Sequence, residues 1–378
     1  MHVVMWNGAK ATTTLQNGEI IPTIALHKYT PSDSTYPTAS SSAPYLKAIE
    51  RLTEDATAAF LDTEGEERFL AKASRFQINL GQMEAGQCLY QGIMGALGYS
   101  KNKPPFIELT RRVPLKTLEL IPQRKTSDDE CLEQQQAILL GAAGLLPSQR
   151  SSRHWQNEPS DEWIDKLERL LTSSHQVETM PSKAWHLFKV RPNNFPVRRI
   201  AAMSYLILRY KERGIFNEMV NMTKEAAINK SPHRLEEGLR VTTNGYWASH
   251  FDFDSGYRLK NPFLLGYGRA AEIVINVILP FTLAWCQLTS QQQLASKILE
   301  LYHIYPRLTA NALERHMRRQ LGLSSTLVNS TRRQQGLIQI YNTLCTQGRC
   351  NCCPLSQNPA HITGRMSSRQ YTGFQPAY

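Results

Sequence analysis

The chain lacks a long unbroken apolar run. Its longest, Ile273 to Cys286, carries Asn276 and Pro280 and falls short of the about 20 residues that a bilayer span needs. It reads as a core helix with a proline break. No basic stretch precedes the apolar start Val3-Val4-Met5, so the pattern of a secretory signal is missing. Seven cysteines, an odd count, suit a reducing, cytoplasmic setting better than a disulfide scaffold. No complete catalytic motif is legible. Glycines gather at Gly86, Gly92 and Gly95, and again at Gly141 and Gly144. Neither group follows a strand or matches a nucleotide-binding fingerprint. Each such glycine costs a helix about 1 kcal/mol relative to alanine, so close helix packing or a kink is the expected reason for them.

What the chain does have is positive charge. A net charge of +11 and a pI near 9.3 favour polyanionic partners, because lysine and arginine clusters release phosphate counterions. The same charge also serves solubility alone. Its distribution is uneven. Between Arg307 and Arg349 seven arginines stand against one acid, Glu314.

The first residues read as strands. His2 to Trp6 is β-compatible, Asn7-Gly8 offers a tight turn, and Asn17-Gly18 offers another before Glu19 to Leu26. Asn-Gly between β-rich runs signals hairpins, so an antiparallel meander is expected. The first strand is apolar on both faces and wants sheet neighbours. The expectation is an incomplete sheet, with partners supplied by another chain or missing upstream. Tyr29 to Pro44 is a Ser-, Thr- and Pro-containing linker.

From Tyr45 the pattern is helical. Phe69, Ala73, Phe76 and Leu80 share one stripe, and Arg68, Lys72 and Arg75 share another, as on an amphipathic surface helix. Glu162 to Leu171 is a short helix after a polar connection. Asn193 or Asn194 is placed to cap the helix Ile200 to Tyr210, with Pro196 in its first turn. Arg198 and Arg199 near that N-terminal end oppose the macrodipole, which calls for a buried carboxylate or, less readily, a bound phosphate. Asp252 and Asp254, if extended, share a face, where paired carboxylates can bind a divalent metal or do acid–base work. Asp254-Ser-Gly256 is equally an ordinary turn.

The terminal module combines both signals. Leu313, Met317 and Leu321 align on one side of a helix, with Arg315, Arg318 and Arg319 clustered on another. Ser330 caps a last helix whose stripe is Leu337, Ile340, Tyr341 and Leu344, with Arg332 and Arg333 in its first turn. Arginine forks suit phosphate. With local acids nearly absent, an external polyanion is favoured over internal ion pairs. Cys345, Cys350 and Cys353 then give C-x4-C-x2-C after a Gly348-containing turn. That spacing suits zinc or an iron–sulfur cluster; plain thiols or a redox pair are the alternatives. A fourth ligand would be Cys352, His361 or a distant cysteine.

These residues carry a family resemblance. His2-Val-Val, the run Gln87 to Asn102, Leu139 to Pro147, Arg191-Pro-Asn-Asn-Phe-Pro196, Asn311 to Met317, Arg333-Gln-Gln-Gly336 and the terminal Cys-Pro-Leu355 resemble the bacterial family called domain of unknown function 2851. The resemblance covers about residues 1 to 355, and the family has no established activity. Longer members resemble PD-(D/E)XK nucleases upstream of this point. This chain begins just after those motifs, so the resemblance carries no catalytic residue over, and it implies the remainder of a nuclease-like, metal-dependent protein.

The resulting expectation is a mainly α protein with a small, incomplete N-terminal antiparallel β-meander. Its segments are residues 1–44, a helical core over 45–305, basic helices with the cysteine cluster over 306–355, and a disordered tail over 356–378. The expected function is DNA or RNA binding through Arg315, Arg318, Arg319, Arg332 and Arg333, with metal at Cys345, Cys350 and Cys353. The rival is a scaffold whose arginines pair internally and whose cysteines are inert. A metal-dependent enzyme centred on Asp252 and Asp254 comes third.

Overall fold

A computed structural model describes residues 2–4, 12–14, 20–25, 53–123, 127–150, 161–173, 178–253, 262–349, 353 and 355. The chain divides into two compact units, Thr53–Cys353 and Met1–Leu52 with Pro354–Tyr378. The basic helices thus belong to the same unit as the helical core. The expected linker at 29–44 and tail at 356–378 lie outside the described residues, as does Asp254.

The smaller unit holds β1 (His2–Val4), β2 (Thr12–Thr14) and β3 (Ile20–Ala25) in the order β1-β3-β2. β2 runs antiparallel beside β3, Thr13 opposite Ile21, and the Thr13 and Thr23 hydroxyls lie 2.7 Å apart. That much of the meander holds. β1 departs from it: it lies parallel to β3, His2 opposite Thr23, and does not pair with β2. An all-apolar strand has the composition of a parallel strand, and that outweighs the Asn7-Gly8 turn signal.

The larger unit is helical. α1 (Glu54–Leu80) starts where the Thr53 side chain accepts from Ala56 N–H, with Glu54 and Asp55 in its first turn, where the dipole favours acids. It is followed by α2 (Ala85–Leu97), α3 (Lys103–Arg112), α4 (Leu115–Glu119), α5 (Asp128–Ala142) and α6 (Glu162–Ser173). α7 (Pro196–Arg209) has Pro196 at its start as expected, but neither asparagine caps it. The Asn194 side chain instead accepts from Tyr99 Oη at 2.9 Å and Arg199 Nη2 at 2.7 Å. α8 (Ile215–Ile228) and α9 (His233–Leu239) lead to the two-stranded ladder of β4 (Val241–Thr242) and β5 (Phe263–Leu265).

The proline break is in fact a widened turn. α10 (Tyr267–Leu288) is one 22-residue helix, mostly buried and long and apolar enough to cross a membrane by length and composition alone. Val274–Ile278 within it is π-helical, and Leu279 N–H reaches back to the Val274 carbonyl. Pro280 has no N–H to give Asn276, so the ladder shifts by one residue there. α10 packs on α1, α2, α8 and α11 (Gln292–His303). Phe76 meets Phe281 edge-on at 5.6 Å, and Phe69 stacks on Tyr302 at 4.1 Å. The clustered glycines serve close packing: a Cβ at Gly92 would sit 2.8 Å from Val277, and one at Gly141 would sit 2.4 Å from Leu171.

α12 (Ala312–Gln320) and α13 (Thr331–Thr343) complete the unit. Asn311 and Ser330 cap them by accepting from Glu314 N–H and Arg333 N–H. α13 lies along α1 with the two backbones in contact. A Cβ at Gly336 would be 2.1 Å from the Leu61 carbonyl oxygen, and one at Gly65 would be 2.0 Å from that of Arg332. Only glycine fits at either position.

Candidate nucleic-acid interface

The five arginines expected on one surface divide into two sets. On α13, Arg332 and Arg333 are engaged internally. Arg333 directs Nε and Nη2 at the Asp62 carboxylate, each at 3.2 Å, and donates through Nη1 to the Leu327 carbonyl at 2.9 Å. Arg332 donates to the Asp62 carbonyl at 2.8 Å and pairs with Glu66, which also meets His303 Nε2 at 3.0 Å. Both guanidiniums are half-buried. The acids come from α1, about 270 residues away in sequence, which is why a search for nearby acids misses them. Pairs of this exposure contribute about 1–2 kcal/mol each.

On α12 the balance is reversed. The segment's one acid, Glu314, is buried, with its side chain 1% exposed. It accepts from Arg307 Nη2 and from Gln334 Nε2, both at 2.6 Å. Buried and doubly bonded, it is spent on the inner side of the helix. Arg315, Arg318 and Arg319 have no carboxylate partner among the described residues. Arg315 donates to the Ala310 carbonyl at 2.6 Å, and Arg319 Nε to the Arg315 carbonyl at 3.3 Å. Arg315 and Arg319 are exposed and Arg318 is half-buried. With Gly322 and Leu323 the three line an open cavity of about 480 Å³. Arg318 and Arg319 lie in the last turn of α12, where the macrodipole also favours cations.

The cysteines follow α13. Cys345 is half-buried in the short turn Cys345–Gln347, and Gly348, at φ 63°, turns the chain back so that Arg349 N–H bonds the Leu344 carbonyl at 2.9 Å. Cys353 is buried; Cys350 and Cys352 lie outside the described residues. Among the described residues no three His, Cys, Asp or Glu side chains converge as a metal site.

Two other expectations change. Residues 251–253 form a bend leading into a turn, so Asp252 is not on a strand. Asp252 is 5% exposed, and its carboxylate pairs with Arg150 Nη1 at 2.8 Å, which balances its charge. Among the described residues Arg199 has no carboxylate in hydrogen-bond range; it donates to the Leu264 carbonyl, Tyr99 Oη and Asn194 Oδ1. Arg198, fully buried, donates to the carbonyls of Trp247, His250 and Phe263, and burial lowers its pKa to about 10, with the neighbouring Arg199 charge adding to the effect.

On the basic stripe of α1, Arg75 is exposed, whereas Arg68 and Lys72 are half-buried and bonded. Arg68 Nε and Lys72 Nζ both donate to Gln335 Oε1 of α13, at 2.9 and 2.8 Å. Lys72 also reaches Asn276 Oδ1 of the π turn at 2.6 Å. Burial, and then the charges of Arg68, Arg75 and Lys103, hold the Lys72 pKa well below its usual value. Its acceptors, one on the π turn and one on α13, carry no periodic signal, which is why the sequence does not reveal them.

Fold and surface together give a helical unit on which Arg315, Arg318 and Arg319 meet no carboxylate among the described residues. A family model described as a protein of unknown function (DUF2851) matches residues 1–309, and the chain belongs to that family. α12 and α13 lie beyond the matched range. No curated protein and no solved structure matches the chain.

Proposed function

We propose that this is a nucleic-acid-binding protein that contacts the phosphate backbone through Arg315, Arg318 and Arg319. The observation that carries the reading is the fate of Glu314. With the only local acid buried against Arg307, the three guanidiniums beside the α12 cavity have donors and charge but no carboxylate among the described residues to take them. Arginine forks of this kind match phosphate oxygens, and phosphate contacts of this kind are independent of sequence. Arg332 and Arg333, already bonded to α1, orient α13 and are not counted among the contacts.

The test is fluorescence anisotropy with duplex DNA and with RNA over a salt series. The Arg318→Glu/Arg319→Glu variant binds more weakly, and each lost contact lowers the log–log salt slope by about 0.9 on duplex DNA. Binding at low salt as tight as that of the wild type would remove this surface from consideration.

A metal at Cys345, Cys350 and Cys353 belongs to the same proposal. Gly348 turns the chain back at the end of α13, so a bound zinc or iron–sulfur cluster would staple the basic end, and its binding energy would be folding energy there. Elemental analysis of anaerobically purified protein decides it: near one equivalent supports the staple, and less than about a tenth leaves plain thiols.

A further inference from the structure

The basic stripe of α1 takes no part in the α12 reading. Arg68 and Lys72 converge on one neutral oxygen, Gln335 Oε1. The widened turn of α10, a feature frequent at functional sites, presents Asn276 as the second acceptor for Lys72. An ammonium has three N–H donors and a guanidinium five. Gln335 and Asn276 account for two of the first and one of the second.

Two further cations border this junction. Arg75 continues the α1 stripe and is exposed. Lys103 of α3, also exposed, lies over α2, its Cε 3.7 Å from where a Cβ on Gly95 would be. The charge of each opposes protonation of Lys72. No carboxylate lies within ion-pair distance of Arg68, Lys72, Arg75 or Lys103 among the described residues. Packing gives no reason for this. A polar link between α1, α10 and α13 needs only neutral side chains, and four cations add repulsion that no acid in ion-pair range among the described residues offsets.

We propose that Arg68, Lys72, Arg75 and Lys103 form an oxyanion site that takes a phosphate group where α1, α10 and α13 meet, with Lys103 reaching over α2 toward it. The two amide oxygens hold Arg68 and Lys72 in place from behind, and the remaining donors face the anion. The bound charge supplies the compensation that the protein omits. The site stands on different residues from the α12 surface and does not depend on it.

The test uses the full chain and inorganic phosphate. Melting is followed in phosphate and in chloride at matched ionic strength, and phosphate affinity is measured by isothermal titration. Phosphate raises the melting temperature of the wild type. Arg75→Ala/Lys103→Ala, which removes two exposed side chains, weakens phosphate binding by about tenfold or more and abolishes the shift. Lys72→Met, checked for wild-type helicity by circular dichroism, does the same. Arg318→Glu/Arg319→Glu keeps full phosphate binding, which separates this site from the α12 surface. An oligonucleotide that displaces phosphate identifies a strand phosphate as the source; phosphate left in place by the oligonucleotide identifies a small phosphorylated molecule. Absence of a phosphate-dependent shift in the wild type, or an unchanged affinity in Arg75→Ala/Lys103→Ala, overturns the proposal.

Discussion

Arg318-Arg319 and Arg332-Arg333 look alike in the sequence, each an adjacent pair on an amphipathic helix in a stretch nearly free of acids. In the fold they have opposite roles. The second pair is drawn onto Asp62 and Glu66 of α1, so its charge is used in docking α13. The first pair has its only local acid withdrawn into the interior. The difference comes from which helix lies beneath: α13 is seated on α1 backbone to backbone, whereas the polar face of α12 looks onto an open cavity. A basic run is therefore not a binding surface by composition. It becomes one only where the fold leaves its charge unmatched.

The largest way to break this comparison is to lift α13 off α1. Gly336→Ala places a methyl 2.1 Å from the Leu61 carbonyl oxygen. Backbone cannot yield as a flexible side chain can, so the expected loss is about 3 kcal/mol or more, read by urea denaturation. Gly322→Ala, after α12, puts a side chain at a positive φ, a strain of about 1–2 kcal/mol. Equal losses would mean that α13 is seated no more tightly than α12.

Next come the charges themselves. Asp62→Asn and Glu66→Gln each lower stability by about 1–2 kcal/mol while leaving nucleic-acid affinity unchanged. Arg318→Ala/Arg319→Ala does the reverse, with stability within about 0.5 kcal/mol of wild type and affinity reduced. Should the α12 variant lose as much stability as the α1 variants, the two arginine pairs would share a structural role.

The sequence carried the local half of this picture. The Ser330 cap, the burial of Leu337 and Ile340 with Tyr341 and Leu344 half-buried beside them, Pro196 at the start of α7 and the return at Gly348 all follow from rules that act within a few residues. The mainly α class follows from the same rules. What it could not carry is set by tertiary contact. Asp62 and Glu66 read as ordinary helix acids until α13 is laid on them. Arg198 and Arg199 seemed to need charge, yet carbonyls left open by the loops around β4 and β5 take their donors. Asp252 looked like half of a carboxylate pair until Arg150 reached it. The parallel placement of β1 was masked by an Asn-Gly turn signal that acts only locally.

The subtlest effect to read is in pH dependence, and it asks whether the charges under α13 are as constrained as those on α12 are open. Lys72 bonds Gln335 of α13 from a site where burial, followed by the charges of Arg68, Arg75 and Lys103, depresses its pKa well below the usual lysine value. Between that depressed value and the ordinary one, the unfolded chain binds the proton more than the folded chain does. Stability therefore rises with pH across this window, and it is lost as pH falls through the folded-state pKa. Lys72→Met removes the titration, so the stability difference, wild type minus variant, should climb with pH by at most about 1.4 kcal/mol per unit. Cys88 and Cys286, whose thiols burial pushes up to about 12 and about 11, act in the opposite sense above the usual thiol range. They are common to both proteins and cancel in the difference. A double substitution on α12, Arg315→Ala/Arg319→Ala, should leave the wild-type pH profile unaltered. A flat difference for Lys72→Met would show that Lys72 keeps its proton in the fold, with an anion or water already meeting its charge.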